Sequence, residues 1–208
     1  MLVFCGSSPG RRSEYVAAAR ESGRLIAERG LGTVYGGASI GLMAAVADGA
    51  LAAGGEVIGV IPKRLLESEI AHAGLTQLHV VDTMHERKAL MSELSDAVVA
   101  LPGGSGTLDE LFELFTWSQL GLHGKPLGLL DVAEYWQPLL RFLEHAVEDR
   151  FLPAQHLASL LIERDAGTLL DRLAAHEPQL GDKWLDRRDS DQEVPNTRSP
   201  ASPKPGLM

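Results

Sequence analysis

Apolar runs of three to five residues, each ending in a small-residue loop or a turn and followed by a helical pattern, leave this chain few folds to choose from. Leu2–Cys5, Thr33–Tyr35, Val57–Ile61, Leu78–Val81, Ala97–Leu101 and Leu127–Leu130 read as six strands. Helical patterns cover Ser13–Arg29, Gly41–Ala53, Met84–Leu94, Thr107–Leu120, Tyr135–Glu148 and Ala166–Ala175. On the first helix Val16, Ala19, Gly23 and Ile26 share one face, and the second is made of small residues that can pack closely on a sheet. Strands that are apolar on both faces need cover on both faces, which a parallel sheet between two helical layers supplies. The spacing predicts a doubly wound, Rossmann-like α/β fold.

One domain over residues 1–176 accounts for this pattern. From Glu177 the chain turns to Pro, Ser, Asp and Arg with few aliphatics. Such a segment cannot offset its ordering entropy by burial, so 177–208 is expected to be a flexible tail. The 28 acidic and 19 basic residues give a net charge of −9, which argues against a protein built to neutralise a nucleic-acid backbone. No apolar run approaches the ~20 residues of a membrane span, and the N-terminus has no signal-peptide pattern. The single cysteine, Cys5, cannot form an internal disulfide, and no Cys/His set has zinc spacing. The expectation is a reduced, cytoplasmic protein with neither membrane nor nucleic acid as partner.

In an open α/β sheet, ligands bind beyond the carboxyl ends of the strands. Three small-residue loops leave that edge: Cys5-Gly6-Ser7-Ser8, Tyr35-Gly36-Gly37-Ala38-Ser39-Ile40-Gly41, and Pro102-Gly103-Gly104-Ser105-Gly106-Thr107. Any one could be a tight turn and nothing more. Together, their bare N–H groups and the helix starts behind them describe an anion site, most simply for phosphate. No G-x-x-x-x-G-K-[ST] occurs, and Asp109 stands where a dinucleotide fingerprint needs its last glycine.

Behind the third loop come Asp109, Glu110 and, a turn later, Glu113. Thr107-x-x-Glu110 reads as a capping box, which by itself would account for the glutamate. A carboxylate one turn behind a phosphate loop could equally stabilise a sugar cation or orient a water. Arg87 and Lys88 are adjacent cations at a helix start, where the dipole disfavours them. A broken local rule at the ligand edge suggests use, and arginine suits phosphate or carboxylate.

Tyr35-Gly-Gly…Gly41-Leu-Met43, Met84-x-x-Arg87-Lys88, Pro102-Gly-Gly-x-Gly-Thr107-x-x-Glu110 and Trp117-x-Gln119-Leu-Gly121-x-His123-x-Lys125-Pro126 resemble the LOG (Lonely Guy) family. Its members split the N-glycosidic bond of cytokinin riboside 5′-monophosphates, some also of AMP, giving free base and ribose 5-phosphate; many carry the label lysine decarboxylase. The resemblance implies Glu110 and Arg87 as catalytic residues, with Gly103, Gly104, Ser105, Gly106 and Thr107 on the 5′-phosphate. Lys88, Leu108 and Asp109 fall in the same substrate-binding set. Glu69 and Thr116 match positions that touch the nucleotide. It also implies a homodimer with active sites near the interface, and no metal or organic cofactor.

This chain departs from the family pattern at Ala38, Ala44, Ser105 and Asp109, which implies an altered pocket. Two other functions compete with hydrolysis. A nucleotide-binding module without turnover would use Glu110 only as a cap. A pyridoxal-phosphate lysine decarboxylase would need a Schiff-base lysine, and none of Lys63, Lys88, Lys125, Lys183 or Lys204 has an evident cofactor pocket around it.

Overall fold

A computed structural model of the protein describes residues 1–66 and 71–176. The expected tail, 177–208, and Glu69 lie outside the described residues. Seven strands form one sheet: β1 (Leu2–Phe4), β2 (Thr33–Tyr35), β3 (Val57–Pro62), β4 (Gln77–Val81), β5 (Val98–Ala100), β6 (Leu127–Leu130) and β7 (Leu160–Glu163). Their order is β4-β3-β2-β1-β5-β6-β7 and every pairing is parallel. The chain builds outward from β1 to one edge, then returns to lay β5 against β1, with Leu2 opposite Val98 and Phe4 opposite Ala100. The strand order therefore reverses between β1 and β5, and a crevice opens beyond their carboxyl ends.

The helices are α1 (Ser13–Glu28), α2 (Gly41–Ala52), α3 (Lys63–Leu66), α4 (Met84–Glu93), α5 (Ser105–Gln119), α6 (Gln137–Glu148), α7 (Ala154–Ala158) and α8 (Ala166–Ala174). Alternation along β1 divides the core. Val3 and the following Cys5 join one layer with residues of α1, α2 and α8, while Leu2 and Phe4 join the other with residues of α4, α5 and α6. This two-sided burial is the doubly wound arrangement that the apolar strands predict.

The small residues of α2 serve the neighbouring helix as well as the sheet. A Cβ on Gly23 of α1 would lie 2.0 Å from the Val46 carbonyl oxygen, and one on Gly49 of α2 would lie 2.0 Å from that of Arg20. The two backbones cross in contact, each supplying the glycine that the other needs.

The elements expected from sequence stand within two residues of their bounds, with three informative differences. β7 lies outside the expected set. Its strand follows a five-residue helix, too short for a periodic signal, and ends in Glu163-Arg164-Asp165 without a glycine loop. The expected helix from Tyr135 begins at Gln137, with Pro138 in its first turn. Before it lies a 3-10 turn at Val132–Glu134, where Ala133 and Glu134 have φ of 51° and 62°. The expected helix from Thr107 begins two residues earlier, at Ser105 with Gly104 as N-cap, and this changes what Glu110 can be doing.

Candidate active site

Gly6 joins the loops around the crevice. Its N–H donates to the Pro102 carbonyl at 3.0 Å, and its carbonyl accepts from the Leu42 N–H at 3.0 Å. The turn after β1 is thereby fastened to the loop after β5 and to the start of α2. Gly41, at φ 57°, is the residue that this approach requires, because a Cβ there would lie 2.4 Å from the Ser7 backbone.

α4 begins at a side-chain cap: Thr83 Oγ1 accepts from the Glu86 N–H at 3.1 Å, and the Glu86 carboxylate accepts from the Asp82 N–H at 2.9 Å. One turn in, Arg87 turns beneath the carboxyl ends of β2 and β3 and is 7% exposed. Its Nε donates to the Val60 carbonyl at 3.0 Å and its Nη2 to the Gly36 carbonyl at 3.2 Å. Its Nη1 lies 3.7 Å from Glu110 Oε1. The arginine that breaks the helix-dipole preference is thus compensated by backbone carbonyls at the sheet edge. Gly36 leaves it room, since a Cβ there would stand 2.2 Å from Nη2.

The capping-box reading of Thr107 and Glu110 is overturned. Gly104 is the N-cap of α5 and offers no side-chain acceptor, while Thr107 is the third helical residue, buried over Gly103. Glu110 stands a further turn along, its side chain 13% exposed and aimed at Arg87. The N–H groups of Ser105, Gly106 and Thr107 have no backbone acceptor among the described residues and concentrate partial positive charge there.

These groups meet around a cavity of about 240 Å³ lined by Cys5, Met43, Arg87, Glu110, Asp109 and the loop from Gly104 to Thr107. Burial pushes the Glu110 carboxyl up to about 7; the Arg87 guanidinium opposes this, and the neighbouring Asp109 adds repulsion. Burial, with Glu110 beside it, also raises the Cys5 thiol, which keeps it protonated. A carboxyl near neutrality, a fixed cation and an open helix start share one cavity. The set can hold a phosphate ester and offer a carboxylate to a nearby electrophilic carbon.

The other expected site residues are placed less centrally. Lys88 bridges Asp109 at 3.2 Å and Glu113 at 3.0 Å, off the cavity lining. Burial would lower its ammonium, but the bonds to Glu113 and Asp109 outweigh that and hold it above its ordinary range. Gly103 borders a neighbouring cavity of about 290 Å³ with Ser8, Tyr15, Leu42 and Tyr135. Leu108 is half-buried and Thr116 is exposed on α5, both away from the first cavity. The sequence names Met84, on the first lining, only within a motif and gives it no role, and it does not single out Tyr135 on the second, for neither carries a charge or a glycine pattern. No described lysine lines the first cavity, and Lys88 is held protonated by two carboxylates, so these residues do not fit a Schiff-base cofactor.

Comparison with known proteins adds a lineage. A family model described as possible lysine decarboxylase matches residues 43–173. A cytokinin riboside 5′-monophosphate phosphoribohydrolase of Rhodococcoides fascians is 51% identical over 79% of this chain and 84% of its own length. The protein LOG of Oryza sativa, of the same printed activity, is 41% identical over 96% of this chain and 81% of its own. Among solved structures, a molybdenum cofactor binding protein of Rippkaea orientalis superposes with a TM-score of 0.64 at 21% identity, covering 84% of this chain and 94% of that one. At that identity the likeness speaks for the fold alone. The identities to the two phosphoribohydrolases, over most of each chain, settle the kinship: the chain belongs to the LOG family of cytokinin riboside 5′-monophosphate phosphoribohydrolases.

Proposed function

We propose that the protein hydrolyses the N-glycosidic bond of cytokinin riboside 5′-monophosphates, and of AMP, to free base and ribose 5-phosphate. The observation that carries this reading is the buried Glu110 carboxyl 3.7 Å from the fixed Arg87 guanidinium, one turn behind the open start of α5. The 5′-phosphate rests on the N–H groups of Gly103 to Thr107, with Leu108 and Asp109 along the same segment and Lys88 paired with Asp109 from α4; Glu69 and Thr116 match family positions that touch the nucleotide. C1′ then lies toward Glu110. As the bond from C1′ to the base nitrogen breaks, its electron pair leaves with the base and positive charge develops on the sugar. Ionised Glu110 stabilises that charge and takes the proton of the water that attacks C1′; the departing base takes up a proton. Arg87 is held by two carbonyls, so its charge faces Glu110 without reorganising.

The same reading makes the protein a cytoplasmic homodimer. Met84, Leu94 and Leu120, around α4 and the end of α5, present exposed apolar surface that supports self-association. No described helix is long and apolar enough to cross a membrane.

A product assay tests the function. AMP and isopentenyladenosine 5′-monophosphate are offered separately, and free base and ribose 5-phosphate are measured. Release from either substrate that Glu110→Gln abolishes supports the proposal. Nucleotide binding without release, unaltered by Glu110→Gln, replaces it with a binding module.

A further inference from the structure

Tyr135 lies outside the catalytic pair, yet its surroundings single it out. Its hydroxyl donates to the Gly103 carbonyl. Its ring packs edge-on against Tyr15, with centroids 5.7 Å apart, and against Trp136 at 5.0 Å. It follows two consecutive non-glycine residues with positive φ, Ala133 at 51° and Glu134 at 62°. L residues enter that region at a cost, and a pair of them persists only where the surroundings over-determine the backbone.

The surroundings do so here. Asp131, almost fully buried, accepts from the Trp136 N–H at 2.8 Å and from Gln137 Nε2 at 2.6 Å. Its own N–H donates to the Glu163 carbonyl at the end of β7, at 2.7 Å. Glu134 is held by Arg164 at 2.8 Å. β6 and β7 together thus clamp a strained turn whose outcome is the position of one phenol.

We propose that Tyr135 is a positioning residue for the phosphate-binding loop, tying back the Gly103 carbonyl so that the next amide is presented to the ligand. A trans peptide sets its C=O and the following N–H antiparallel. Fixing the Gly103 oxygen on the Tyr135 side turns the Gly104 N–H to the opposite side. That N–H has no backbone acceptor among the described residues. Gly103 packs closely on Thr107 and Gly6, whereas Gly104 is exposed, with nothing within 4 Å of where its Cβ would be, so side-chain packing restrains only the Gly103 end of this peptide. The tyrosine adds a restraint on the carbonyl from outside the loop, and the donor is preorganised for an anion.

The inference rests on the phosphate reading of the loop. Its test is Tyr135→Phe, which keeps the ring against Tyr15 and Trp136 and removes only the hydroxyl. The expected result is a rise of about 5-fold in KM for the nucleoside 5′-monophosphate, the effect of about one hydrogen bond, with kcat within about 2-fold. Inhibition by inorganic phosphate should weaken by the same factor, and the pH profile of kcat should stay in place. Unchanged KM and phosphate inhibition would overturn the proposal, as would a loss confined to kcat. If the wild-type protein binds AMP but does not hydrolyse it, the hydrolase reading fails separately; the tyrosine is then judged by the AMP dissociation constant, expected to rise by the same factor in Tyr135→Phe. A thermal melt of the variant shows whether the turn is intact, and Tyr135→Leu, which removes the ring too, should lose stability that Tyr135→Phe retains.

Discussion

Arg87 Nη1 stands 3.7 Å from Glu110 Oε1, near enough to attract and too far to hydrogen-bond. The guanidinium directs Nε and Nη2 to the carbonyls of Val60 and Gly36 and Nη1 to Met84 Sδ, so the carboxylate receives field without a fixed proton donor. That leaves Glu110 free to exchange a proton with something else in the cavity.

Glu110→Gln removes the charge at nearly constant volume. With Arg87 already bonded to two carbonyls, the fold should survive, and the melting temperature should not fall below that of the wild type. The turnover number should fall by about 10²–10³-fold, the usual cost of losing one transition-state electrostatic partner. Steady-state kinetics beside a thermal melt separate the two effects.

The Glu110 carboxyl is raised from 4.5 to about 7, which fixes the sign of two pH responses. Activity needs the ionised form, so kcat/KM should climb through about 7 as pH rises. Stability runs the other way, because the folded state binds the proton more tightly than the unfolded chain does. The favourable contribution is complete below 4.5 and is lost as pH rises through about 7. Glu110→Gln should therefore gain stability relative to the wild type across that window, as paired denaturant titrations at both ends would show.

Gly36→Ala places a methyl 2.2 Å from Arg87 Nη2. The guanidinium must leave the Gly36 carbonyl or tilt away from Glu110. We expect at least a 10-fold loss of kcat/KM, with a stability cost of about 1–3 kcal/mol for the overpacked site. Arg87→Lys should do comparable damage to activity, since an ammonium cannot reproduce the planar fork that holds both carbonyls.

Gly49→Ala tests the helix crossing far from the site. Its Cβ would meet the Arg20 carbonyl oxygen at 2.0 Å, so the helices must separate. A destabilisation of about 3 kcal/mol is expected, with kcat per folded molecule unchanged. Denaturant unfolding and an activity assay on the folded fraction read the two parts.

The alternation along Leu2-Val3-Phe4-Cys5 and the glycine loops after β1, β2 and β5 were enough to place the sheet and its ligand edge, because both depend on local periodicity. β7 escaped because its signal lies in its neighbours, the short α7 and a charged turn. Arg87 and Glu110 stand out as candidates through a broken dipole preference and the family motif. Their relation does not, since Val60, Gly36 and Glu110 come together only through the sheet. The start of α5 misled most: Thr107-x-x-Glu110 has the residues of a capping box, yet glycine at 104 carries the helix two residues further back. The true side-chain cap of this kind is Thr83 with Glu86.

The donors at the head of α5 belong to the main chain, and positions 104 and 106 have no side chain and open space around them. Truncation mutagenesis, the usual way of finding what a protein uses, has nothing there to remove. Alanine at either position would leave every donor in place, and a conventional scan would score both positions as silent. Their contribution would surface only when an atom of the backbone itself is exchanged, an amide for an ester, by chemical synthesis.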